Sequence, residues 1–96
     1  MAGNDFASTM DEIVANKYLA SNSKNTDSEM IHLRDALTAC VQYKNKEPSS
    51  NCPEIYREGV DLCNRLIALA VEKEFYNAAA GYQAIANDLK LILNNK

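Results

Sequence analysis

The sequence has no tryptophan, one histidine, two prolines and three glycines. So few turn-formers argue against a sandwich or barrel and exclude collagen-like sequence. A metal site needs several ligands converging on one point, and a single histidine with no Cys-x-x-Cys pair offers none. The cysteines are Cys40, Cys52 and Cys63, an odd count that disfavours a disulfide framework. Cys52 and Cys63 on one helix would stand about 16 Å apart, too far to bridge. A Cys40–Cys52 bridge needs the preceding helix to end early. The expectation is three reduced thiols, with Cys40 and Cys63 buried as small apolar groups.

Long apolar runs are also missing. The densest, residues 66–71, is far short of the roughly 20 residues of a membrane helix, so no membrane partner is expected. The start, Met1-Ala-Gly-Asn-Asp-Phe-Ala, carries neither basic residues nor an apolar stretch of leader type, which points to a cytoplasmic location. Positive charge is scarce too. Ten Lys and Arg face 13 Asp and Glu, a net charge of −3, and this leaves no electrostatic footprint for nucleic acid. No glycine-rich loop follows a strand, so dinucleotide and P-loop phosphate cradles are absent, and no cofactor is expected.

What is present is an ordinary globular balance, 47% apolar and 24% charged over 96 residues, enough for one core. Two polar interruptions, residues 20–27 and 45–53, divide the chain. Between them the apolar spacing is helical and never alternates. Residues 1–8 read as an arm and residues 9–96 as a single domain. A short first helix is expected over 9–19, opened by a Thr9-x-x-Glu12 capping box, with Met10, Ile13 and Val14 on one stripe. A second follows over 27–46, opened by Thr26-x-x-Glu29, with Met30, Leu33, Leu37, Cys40 and Val41 in register and Pro48 stopping it. A third starts at Pro53 and runs to near 72, apolar around more than half its circumference. The fourth covers 77–94. No Pro or Gly marks the break before it, yet one helix from 53 to 94 would span about 60 Å, so a turn over 73–77 is expected. The fold class is therefore all-α, a small antiparallel helical bundle of three long helices and a short N-terminal one.

The stretch Phe75-x-x-Ala78-x-x-x-Tyr82-x-x-Ile85-x-x-x-Leu89 resembles the second half of a tetratricopeptide-type helical hairpin over about 15 residues. Leu66 and Lys73 stand where that pattern has a small residue and a glycine. The spacing is shared by many helix pairs and assigns no family.

Catalytic constellations are missing. Glu54, Glu58 and Asp61 share a face of the third helix, but beside Arg57 and Arg65 they read as a solvated face, with Asp61–Arg65 a well-spaced ion pair. His32 has Asp35 as its helical neighbour and reads as a surface histidine. The expectation is a non-enzymatic protein–protein interaction module of adaptor, inhibitor, immunity or chaperone type. It would bind another protein, and itself as a homo-oligomer, favouring a dimer. Tyrosine joins apolar area to a hydroxyl, which suits interfaces, and Phe6, Tyr18, Tyr56, Phe75, Tyr76 and Leu91 are the interface candidates. The alternative is a small-molecule or nucleotide-like ligand binder, lined by His32, Arg34, Tyr43, Lys44 and Lys46.

Overall fold

The computed structural model describes residues 2–46 and 52–94, with side chains from Phe6 onward. Four helices occupy them, and no strand is present among the described residues. They are α1 (Ala2–Ser21), α2 (Thr26–Lys46), α3 (Pro53–Glu72) and α4 (Tyr76–Asn94). The fold is all-α, as its apolar spacing requires.

The N-terminus departs most from the sequence reading. Residues 2–8 are not an arm but the first turns of α1, which makes α1 as long as the other helices. Thr9-x-x-Glu12 therefore lies inside the helix instead of capping it. Only Gly3 weakens this stretch, at about 1 kcal/mol, and Phe6 extends the buried stripe backwards. Phe6 and Met10 pack against the core beside Ile13 and Ala20, both buried. Val14, one step off that stripe, is 59% exposed. The helix ends on its own neighbours: Asn22 Nδ2 donates to Tyr18 O at 2.9 Å and Ser23 Oγ to Leu19 O at 2.9 Å. These bonds occupy carbonyls that have no partner within the helix.

The cap of α2 also lies one residue earlier than expected. Asn25 Oδ1 accepts from the Ser28 backbone N–H at 2.8 Å, so Asn25 is the cap and Thr26 is the first helical residue. Asp27 and Glu29 occupy the first turn and Lys44 and Lys46 the last, each sign suited to its end of the helix dipole. The expected stop at Pro48 lies outside the described residues. Pro53 opens α3, with Cys52 at the cap making no side-chain capping bond.

Packing follows chain order. α1 lies against α2, α2 against α3 and α3 against α4, while α1 reaches α3 only narrowly. Among the described residues, the backbone of α4 approaches α3 alone. The result measures 37 × 26 × 15 Å, and its short axis is little more than one helix diameter. α3 lies at the centre and buries Ile55, Tyr56, Leu62, Cys63, Leu66 and Ala70.

Gly59 is the reason α3 can be shared. A Cβ there would stand 2.6 Å from Leu89 Cδ1 of α4 and 3.5 Å from Cys40 Cβ of α2. Bare backbone at this position lets both neighbours approach at one level. Cys40 Sγ also donates to the Ile55 carbonyl at 3.6 Å.

Among the described residues, three ion pairs bridge the helices at the surface. Lys17 Nζ meets Glu58 at 2.7 Å, which draws Glu58 out of the expected carboxylate face, and Lys73 meets Asp27. Arg65 lies 3.9 Å from Glu29, not paired with Asp61 as its spacing suggested. All are partly solvated, and each is worth about 0–1 kcal/mol.

Cys40 and Cys63 are free thiols, both fully buried. Burial, with the nearby Glu58 charge, pushes the Cys40 thiol up to about 12. Burial raises Cys63 to about 11.

Gly59→Ala gains about 1 kcal/mol of helix propensity but overpacks the core by about 1–3, so its unfolding free energy falls. Gly81→Ala, with nothing within 4 Å of the new methyl, gains about 1 kcal/mol. Urea unfolding of both variants should give opposite signs. At pH 8 a thiol reagent should modify Cys52 first, and Cys52→Ser should remove the fast phase. Because the folded thiols at 40 and 63 sit above the ordinary 9.0, their stabilisation is intact below pH 9. It is lost as pH rises towards 11–12. Urea midpoints should therefore be flat near neutrality and fall above pH 9.

Candidate functional site

α2 and α4 both rest on α3 without their backbones meeting. Side chains between them leave a furrow with α3 beneath it. Near its far end Leu37, Thr38 and Val41 of α2 face Tyr82 and Ile85 of α4 around a cavity of about 250 Å³. A second cavity of about 230 Å³ lies between Met30 and Ile31 of α2 and Phe75 and Ala78 near the start of α4. Arg34 and Tyr82 line both, so the two cavities form one groove with these side chains at its waist. Ile31 and Phe75 are about half exposed at the rim.

The turn that carries Phe75 has an unusual residue. Glu74 adopts φ 63°, in the left-handed region. Phe75 N–H donates to Ala70 O at 2.8 Å and Glu74 N–H to Val71 O at 3.0 Å. This is a Schellman motif with glutamate where glycine is usual. Its two bonds stop α3 without the Gly or Pro the sequence lacks there, and α4 begins at Tyr76. Lys73 pairs with Asp27 across the groove mouth, and its Nζ lies 5.8 Å from the centre of the Phe75 ring. Phe75 is thus placed between a strained turn and a cation.

The interface candidates separate. Phe75 lines the groove, and Tyr76 beside it is 61% exposed. Tyr18 and Leu91 are exposed on α1 and α4, away from the groove lining. Phe6 is half-buried and packs against the core. Tyr56, expected at a rim, is instead buried in the first turn of α3, 1% exposed. The apolar band of α3 is so broad that its spacing does not distinguish rim from core. Tyr56 Oη has no hydrogen-bond partner among the described residues, and burial, then the nearby Cys52, raises its pKa.

The ligand candidates do not converge. Arg34 is in the groove. Tyr43 and Lys46 line a separate cavity of about 120 Å³ between α1 and α2, with Ser8, Thr9 and Glu12. Tyr43 is buried, its hydroxyl 2.9 Å from Cys52 Sγ. His32 and Lys44 line none of these cavities. Leu37, Val41 and Ile85 were legible only as a core stripe, because a groove wall and a core face share one spacing. Among the described residues, no group of three or more His, Cys, Asp or Glu is placed to hold a metal, and no helix is long and apolar enough to cross a membrane.

Comparison with family models, with curated proteins and with solved structures finds no match for this chain.

Left-handed φ costs a residue with a Cβ roughly 1–2 kcal/mol, and glycine avoids most of it. Glu74→Gly should raise the unfolding free energy by about 1 kcal/mol, measured by urea denaturation. Glu74→Val should lower it.

Proposed function

We propose that the chain is a non-enzymatic protein–protein interaction module, built as an antiparallel bundle of helix pairs, and that the α2–α4 groove is its docking face. The observation that carries this reading is the groove itself: two adjoining apolar cavities, rimmed by Ile31 and Phe75. Contiguous exposed apolar surface of this kind is costly on a monomer and marks contact sites. Both cavities are open to solvent rather than enclosed, which favours a side-chain-bearing partner over a sequestered ligand. Adaptor, inhibitor, immunity and chaperone roles all suit such a face. A second copy of the chain is a competing occupant.

The ligand-binding alternative has one observation in its favour. Tyr43 and Lys46 converge with Ser8, Thr9 and Glu12 around polar space. At about 120 Å³ that cavity suits a small anion or a few waters more than a nucleotide.

The test is capture from a lysate of the source cells, with Ile31→Ser/Phe75→Ser compared against the unaltered chain. Both sites are half exposed, so the variant should keep its helical circular dichroism and melting temperature. A protein retained by the unaltered chain and lost with the variant supports the reading. Equal retention, or no retained protein, counts against it.

A further inference from the structure

The groove has more chemistry than an apolar furrow. Its charged lining side chains are Asp27, which Lys73 holds, and Arg34, which has no ion-pair partner among the described residues. Arg34 stands at the waist shared by both cavities, opposite Tyr82. One cavity centres on Met30 and Ile31 of α2, the other on Leu37 and Val41. These centres are about eight residues apart, or some 12 Å along the helix axis. An incoming helix repeats one face every seven residues, about 10.5 Å. Phe75 and Ala78 at one cavity and Tyr82 and Ile85 at the other are seven residues apart, so two large apolar side chains at i and i+7 come within about 2 Å of the cavity spacing, and the residue at i+3 or i+4 falls at the waist.

Resting on the reading of the groove as a docking face, we propose that its occupant is an amphipathic helix of a partner protein. That helix presents large apolar residues at i and i+7 and a carboxylate at i+3 or i+4. The apolar pair fills the cavities, and the carboxylate meets the Arg34 guanidinium. A cation between two apolar cavities selects by charge: a lysine at the same position would face Arg34 with like charge. The groove alone would accept many apolar helices, and Arg34 supplies the discrimination.

The probes are 15-residue helical peptides on an alanine–glutamine background, with leucine at positions 4 and 11 and either glutamate or lysine at position 8. Binding is read by fluorescence anisotropy, and the contact face by amide shifts of the labelled protein. The glutamate peptide should bind about tenfold more tightly than the lysine peptide. Its shifts should centre on Leu37, Val41, Ala78 and Ile85. Arg34→Glu should invert the order and Arg34→Ala should remove it. Arg34 is exposed, so both variants should keep the wild-type melting temperature. The proposal is overturned by equal binding of the two peptides, by no binding of either, or by shifts outside the groove. It is also overturned if dilution of the protein alone moves the groove amides, which would make a second copy the occupant. Lysate capture is read independently: retention that depends on Ile31 and Phe75 but not on Arg34 would keep the docking reading and sink this one.

Discussion

Three helices converge where α3 has no side chain. Gly59 brings Cys40 of α2 and Leu89 of α4 against one stretch of backbone, and the relation between α2 and α4 depends on that contact. A methyl at this point meets the end of a buried leucine, so α4 must shift or Leu89 must find another rotamer in a filled core. The groove walls, α2 and α4, both rest on α3. The same closeness buries the Cys40 thiol and raises its pKa.

Much of the fold was legible. Helical spacing without alternation gave the all-α class, Pro53 gave the start of α3, and the length of a continuous 53–94 helix argued for the turn that Glu74 makes. The boundaries were harder, for physical reasons. Thr9-x-x-Glu12 satisfies a capping pattern, yet Phe6 one turn earlier favours continued burial, and burial outweighs a cap worth about 1 kcal/mol. At α2, Asn25 and Thr26 are both competent caps, and the sequence alone does not rank neighbours.

The site was less legible than the fold. Phe75 and Tyr76 stood out because aromatics at a turn have little core to reach. Leu37, Val41 and Ile85 did not, since their spacing suits a buried stripe equally well. Tyr56 departs in the opposite direction: its hydroxyl suggested a rim, whereas the first turn of α3 buries it, with no hydrogen-bond partner for Oη among the described residues. Arg34 was grouped with Tyr43 and Lys46 by residue type. One helix presents them on different faces, and they line different cavities.

The chain-order packing has a kinetic consequence. When each helix meets chiefly the next, few contacts must close a long loop before they gain anything, and such helical chains fold in about microseconds to milliseconds. The groove differs from the rest, because its walls are α2 and α4 and it does not exist until both have settled on α3. Only Ala86 and Leu89 of α4 are buried. Any opening that frees α4 therefore removes one wall of the groove, while the packing of α1, α2 and α3 on one another can persist.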